Sequence, residues 1–197
     1  MNPMNTTLTA FVVADPRKCI GCKVCEVACS VAHAAPEVKT AGAMDTPIIP
    51  RLTLVRVPEV TMPVQCRHCE DAPCANACPV GAIVQHRDAI VVNEDICMGC
   101  KTCMMACPFG AIDLVPVYRD GAVVLQNLQD VSGGVPEIKE KLVARKCDLC
   151  FSRPAGPACV ECCPAQALSV VTLKQEKKRR NVSSALNLLS SVKQFLG

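Results

Sequence analysis

The chain has 197 residues, half of them hydrophobic, with a formal net charge of +3. That apolar content excludes a disordered chain, and no run of residues reaches the length of a membrane span. Seventeen cysteines stand beside one Tyr, four Phe and no Trp; the odd cysteine count, and the lack of a signal-like apolar run or twin-arginine pair over Met1 to Thr9, weigh against a secreted disulfide framework, and a soluble cytoplasmic protein is expected.

In chain order, the strand-like Phe11-Val12-Val13 leads into a first group, Cys19, Cys22, Cys25 and Cys29, spaced C-x2-C-x2-C-x3-C. A connector from Ser30 to Gln65 follows, with five prolines around the strand-like Leu52-Thr53-Leu54-Val55. The second group, Cys66, Cys69, Cys74 and Cys78, ends on Pro79. Only 18 residues separate it from the third, Cys97, Cys100, Cys103 and Cys107, which repeats the first spacing and ends on Pro108. Between them two short apolar runs flank a turn at Arg87-Asp88. Phe109 to Lys146 holds an expected hairpin turning at Asp120-Gly121. The fourth group, Cys147, Cys150, Cys159 and Cys163, closes on Pro164 and precedes the strand-like Leu168-Ser169-Val170-Val171. After the charged run Lys174 to Arg180, apolar residues at helical spacing (Val182, Ala185, Leu186, Leu189, Val192 and Leu196, with Leu188 and Phe195 beside them) predict an amphipathic helix.

The spacing has a chemical cause. A cubane iron–sulfur cluster requires several thiolates converging on one small object, so three come from a tight loop. The fourth cysteine of such a run ligates the other cluster of a pair, and the proline after it turns the chain away. Structural zinc, the competing reading, uses four tetrahedral ligands, commonly as two separated C-x-x-C pairs. Three cysteines within seven residues fit a cubane better. Each cluster with four thiolates carries about −2, so four of them turn the +3 of the polypeptide into about −5, and the apparent basicity says little about nucleic acid.

The stretch from Phe11 to Thr172 resembles the four-cluster ferredoxin subunits of molybdenum or tungsten formate dehydrogenases and hydrogenases, including the formate hydrogenlyase and hydrogen-dependent CO2 reductase group. The phrases that carry the likeness are Cys66-Arg67-His68-Cys69-Glu70-Asp71-Ala72-Pro73-Cys74, Lys146-Cys147-Asp148-Leu149-Cys150 and Gly156-Pro157-Ala158-Cys159. The resemblance implies four [4Fe–4S] clusters: one on Cys19, Cys22, Cys25 and Cys163; a second on Cys66, Cys69, Cys74 and Cys107; a third on Cys97, Cys100, Cys103 and Cys78; a fourth on Cys147, Cys150, Cys159 and Cys29. Every ligand position is Cys, which favours four cubanes over a three-iron variant.

The resemblance further implies a non-catalytic electron-transfer subunit between a formate dehydrogenase or CO2 reductase and a hydrogenase or other redox partner. A free diffusible polyferredoxin and a subunit of another molybdopterin oxidoreductase are the alternatives. No acid–base pair, nucleotide loop or nucleic-acid patch is seen. Relatives in hydrogen-dependent CO2 reductases stack into filaments, which makes a homo-oligomer or filament through the C-terminal helix an expectation worth naming.

The expected fold is α+β, two ferredoxin-like halves with approximate twofold symmetry plus the C-terminal amphipathic helix. Residues 10–35 and 140–173 form the outer half, 60–115 the inner half, 36–59 and 116–139 the connectors, and 174–197 the helix. Cys162 is read as a small buried or half-buried thiol, with competition for the ligand site as the alternative, and His33, His68 and His86 as non-ligands, the alternative for His68 being a hydrogen bond to a cluster sulfur that tunes its potential. Met98, Met104 and Met105 are read as soft packing around a cluster, and Arg145 and Lys146 as a solvated surface pair, the alternative being a cation that stabilises the reduced, more negative cluster. For the helix stripe, packing on the chain's own core and docking on a partner stand as equal alternatives.

Overall fold

The computed structural model describes residues 10–128 and 137–196. The N-terminal stretch 1–9, part of the second connector (129–136) and Gly197 lie outside the described residues, as do the side chains of Leu128, Leu173, Lys193, Gln194, Phe195 and Leu196. Along the chain run β1 (Ala10–Ala14), α1 (Val24–Ala32), β2 (Leu52–Val57), β3 (Val60–Gln65), α2 (Pro73–Asn76), β4 (Ile83–His86) and β5 (Ala89–Val92). Then come α3 (Thr102–Ala106), β6 (Asp113–Pro116), β7 (Tyr118–Arg119), β8 (Ala122–Val123), β9 (Leu125–Leu128), β10 (Glu137–Glu140), β11 (Leu142–Arg145), α4 (Ala158–Glu161), β12 (Leu168–Thr172) and α5 (Leu173–Leu196).

The strands form antiparallel pairs. Three are local hairpins: β2 with β3, β4 with β5 around Arg87-Asp88, and β7 with β8 around Asp120-Gly121. Both of the last two turns put a residue at positive φ, Arg87 at 52° in the first, Asp120 at 51° and Gly121 at 74° in the second, the geometry that matches hairpin twist. β9 pairs with β10 on either side of residues 129–136, and the remaining two pairs join distant segments. β1 pairs with β12 so that Val12 faces Val170, and β6 pairs with β11 so that Val115 faces Val143. The first strand thus closes on the last, while the third cysteine group is tied to the segment that leads into the fourth.

Two apolar clusters fill the interior. One gathers Ile83, Ile90, Ile112 and Ala144 around Cys74 and Cys103; the other gathers Val12, Leu52 and Leu168 around Cys25, Cys29 and Cys159. Each fully buried aliphatic side chain contributes about 1.5–3 kcal/mol. Leu52 reaches the second cluster from the first connector, so that segment is part of the core, and Gln65 donates from its buried amide to the Val12 carbonyl at 2.9 Å. The short helices pack in pairs, α1 on α4 and α2 on α3. Phe151, in the loop of the fourth group, lies 5.1 Å from the His86 ring of the inner hairpin.

The C-terminal segment is a 24-residue helix. It touches the body where β12 passes into it, and from Lys177 to Val192 its side chains are exposed, including Val182, Leu186, Leu188 and Leu189. Its charged start is solvated, with Arg179 and Arg180 both paired to Glu176 at 2.7 and 3.0 Å. Among the described residues no helix is long and apolar enough to cross a membrane.

Candidate functional site

The cysteine loops reuse one backbone device. In the first group Gly21 and Lys23 have φ of 70° and 62°, and in the third Gly99 and Lys101 have 68° and 70°. Alternating left-handed residues curl the chain so that amide groups face inward, the concavity that suits an anion. Lys23 and Lys101 are then the caps from which α1 and α3 start, delivering Cys25 and Cys103 to the interior. At the close of three groups a second device recurs. Cys78, Cys107 and Cys163 are each followed by proline, then two residues on by a left-handed residue (Gly81, Gly110, Gln166), then by alanine. That alanine donates its N–H back to the cysteine sulfur, Ala82 to Cys78 at 3.2 Å, Ala111 to Cys107 at 3.5 Å and Ala167 to Cys163 at 3.3 Å. Cys29, lacking the proline, sits inside the longer α1 and accepts instead from the Arg51 N–H at 3.3 Å.

The thiols gather in four sets that cross between groups. Cys19, Cys22 and Cys25 line a small apolar cavity with Cys163. Cys97, Cys100 and Cys103 line another with Cys78. In the interior, Cys66 and Cys107 lie close enough to Cys69 and Cys74 to raise both electrostatically. Cys29 acts in the same way on Cys147 and Cys159, and Cys150 on Cys159. Burial is the larger cause throughout: it pushes Cys25 and Cys74 up to about 11, Cys159 up to about 12, and Cys147 well above the ordinary thiol range. Thiols this desolvated become thiolates only against a cation that replaces their protons, as iron does. Cys162, expected to be buried or half-buried, is instead exposed, at the C-terminal end of the short α4, and lines neither cavity.

A buried donor without an acceptor points the same way. His68 is fully buried, and its Nδ1 accepts the Ile90 N–H at 2.9 Å, so the ring proton is on Nε2. That Nε2 has no partner among the described residues. The ring sits in the loop between Cys66 and Cys69, and an acceptor such as cluster sulfur would satisfy it.

Several polar residues that the cysteine pattern does not reveal organise the site. Asp148 lies between two thiols of the fourth group and accepts from the Cys150 N–H at 2.9 Å, from His33 Nε2 at 3.0 Å and from Arg51 Nη1 at 3.1 Å. Burial opposes its ionisation, yet His33 and Arg51 hold it down at about 2. His33 is driven the other way: burial disfavours its charge, but bonds to Asp148, Cys150 and Cys29 raise it to about 12. The His33, Asp148 and Cys150 ligand atoms all lie within 4.8 Å of one another, but with both His33 nitrogens donating, this is an ion pair and not a metal site. Arg51 also reaches Glu94 at 3.3 Å, and Arg145 meets the same carboxylate at 2.9 Å.

Two further sequence expectations are corrected. Lys146 is not a solvated partner of Arg145 but 2% exposed, because just past the end of β11 its ammonium is taken up by the Cys66 sulfur and the Ile90 and Cys147 carbonyls, while Arg145 pairs with Glu94. Of the methionines, Met98 lines the cavity with Cys97 but is 60% exposed, and Met104 and Met105 are 42% and 83% exposed; the single turn of α3 that points Cys103 inward leaves the latter two in solvent. The signal for Asp148 was visible, an acid between two ligand-type cysteines, whereas Arg51 and Glu94 lie in segments with no motif.

Residues 57–117 and 96–168 each match a family described as a 4Fe-4S dicluster domain. The chain is 40% identical over 181 residues to the electron transport protein HydN of Escherichia coli K12, covering 88% of this chain and 97% of that one. It is 41% identical over 196 residues to hydrogenase-4 component A of the same organism, covering 90% and 92%. It is 37% identical over 177 residues to that organism's formate hydrogenlyase subunit 2, covering 83% and 82%.

Proposed function

This chain belongs to the formate hydrogenlyase-type family of [4Fe–4S] electron-transfer subunits, and from that premise we propose that it joins a molybdenum or tungsten formate dehydrogenase or CO2 reductase to a hydrogenase. The role is electron transfer without substrate chemistry of its own, on four [4Fe–4S] clusters. Bound clusters supply one-electron redox steps; the polypeptide supplies ligation, spacing and electrostatic surroundings.

We further propose the ligand sets Cys19, Cys22, Cys25 and Cys163; Cys66, Cys69, Cys74 and Cys107; Cys97, Cys100, Cys103 and Cys78; Cys147, Cys150, Cys159 and Cys29. The observation that carries this reading is the crossing of the thiols: each set takes three from one group and one from another, as two-cluster ferredoxins do. On this reading segments 10–35 and 140–173 form the outer half and 60–115 the inner, related by approximate twofold symmetry. The β1–β12 ladder and the α1–α4 packing support the first; the β4–β5 hairpin with α2 on α3 supports the second. Cys22 and Cys100 are exposed whereas Cys66, Cys74, Cys147, Cys150 and Cys159 are buried, which supports placing the first and third sets toward redox partners and the other two between them. The exposed apolar stripe of α5 supports a role for that helix in assembly, with a partner or with further copies of the chain.

The test is anaerobic purification with whatever binds the chain, then iron and acid-labile sulfide per chain and identification of the companions. About sixteen irons with equal sulfide, together with a formate dehydrogenase and a hydrogenase, is the expected outcome. Full iron without companions indicates a diffusible carrier, and zinc in place of iron overturns the cluster reading.

A further inference from the structure

Lys146 is among the most deeply buried side chains of the protein, 2% exposed, and all three donors of its ammonium are used. They go to the Cys66 sulfur at 3.4 Å, to the Cys147 carbonyl at 3.1 Å and to the Ile90 carbonyl. The Ile90 amide in turn donates to His68 Nδ1 at 2.9 Å, so Lys146, Ile90 and His68 form one buried chain of bonds around the loop that opens at Cys66. No carboxylate balances the charge: among the described residues Lys146 makes no salt bridge, and the nearby Asp148 is taken by His33 and Arg51. A buried cation without a counter-anion is strongly unfavourable. The group its geometry offers is the Cys66 sulfur, and a thiolate-ligated cluster is the anion.

We propose that Lys146 is a tuning residue, its ammonium balancing the charge of the cluster held on Cys66 and raising that cluster's reduction potential. The inference rests on the assignment of Cys66 as an iron ligand. Reduction adds one negative charge to the cluster, and a fixed cation in hydrogen-bond contact with a ligand sulfur favours that more negative state. The same side chain braces the fourth group through the Cys147 carbonyl, so one charge lies between two sets of thiols.

The experiment compares anaerobic holoprotein carrying Lys146→Met, which keeps the stem and loses the charge, with Lys146→Arg, which keeps the charge. Iron per chain is measured first, then the potential of each cluster by redox titration followed by electron paramagnetic resonance. The expected result is full iron in both variants. In Lys146→Met one cluster becomes at least tenfold harder to reduce, a negative shift of about 59 mV or more for a one-electron couple. In Lys146→Arg the shift is smaller. Iron loss in Lys146→Met alone also supports the proposal, since the charge is then what retains the cluster. Unchanged potentials at full iron in Lys146→Met, or equal loss of iron from both variants, overturn it. Wild-type protein that binds no iron defeats the ligand assignment instead, and is distinguished by the first measurement.

Discussion

Arg51 Nη1 lies 3.1 Å from Asp148 Oδ2, tying the connector after the first cysteine group to the loop of the fourth. The same guanidinium reaches Glu94, just ahead of the third group, at 3.3 Å. One planar fork thus holds three cysteine-bearing segments in register, a role that a lysine ammonium, a point charge, fills poorly. Asp148 is only 7% exposed, so removing the arginine leaves a buried carboxylate with only His33 and the Cys150 N–H to hold it. Arg51→Met is expected to cost about 2–4 kcal/mol, read as a lower urea concentration for loss of the visible cluster absorbance. Arg51→Lys is expected to fall between the two. An unchanged midpoint in Arg51→Met means that the three segments are held by packing alone.

Glycine positions in the loops differ in a way that can be tested. Gly99 has φ of 68°, and a Cβ there meets the Leu142 carbonyl oxygen at 2.5 Å, a backbone atom of β11 that cannot swing aside. Gly81 has φ of 64° but open space around it. Gly81→Ala therefore carries only the left-handed strain, about 1–2 kcal/mol, and is expected to retain full iron. Gly99→Ala must also displace the β6–β11 ladder and is expected to lose about four irons, one cluster. Equal iron in the two variants removes the close approach of Gly99 to Leu142 from the account.

Adjacent cysteines at the end of α4 separate ligand from bystander. The Cys163 sulfur accepts the Ala167 N–H at 3.3 Å and lines the cavity with Cys19, Cys22 and Cys25. Cys162 is exposed and lines no cavity with these thiols. Cys162→Ala is expected to leave iron and the spectra unchanged, and Cys163→Ala to lose about four irons. If Cys162→Ala loses iron as well, the ligand frame is shifted by one residue.

The cysteine groups were legible because ligation imposes fixed spacing on short segments, and the β4–β5 hairpin because apolar runs flank a turn. The apolar runs Phe11-Val12-Val13 and Leu168-Ser169-Val170-Val171 were legible as strands, though the ladder that joins them closes over most of the chain. The ion-pair frame was not. Arg51, Glu94 and Asp148 lie far apart in sequence and come together only when the connector folds over α1, and nothing in local composition distinguishes a charge that will be half-buried from one that will be solvated. The same holds for Lys146: beside Arg145 it looks like a surface pair, and its burial follows only from partners distant in sequence, Cys66 and the Ile90 carbonyl.

The helix α5 is long enough to be structurally important, yet its described side chains past Glu176 are exposed, and its contacts with the body lie at its start against β12. An apolar stripe of Val182, Leu186, Leu189 and Val192 left in water is unfavourable for a helix acting alone, since amphipathic helices gain most of their stability by burying that face. Deleting residues from Asn181 onward removes the stripe without touching either apolar cluster or any cysteine. The shortened chain is expected to keep about sixteen irons and an unfolding midpoint close to that of the intact protein, while losing association with its partners or with other copies in size-exclusion chromatography coupled to light scattering. Loss of iron on truncation places the helix in the fold itself; retained association, with iron intact, moves the assembly surface elsewhere, to the exposed rims around Cys22 and Cys100.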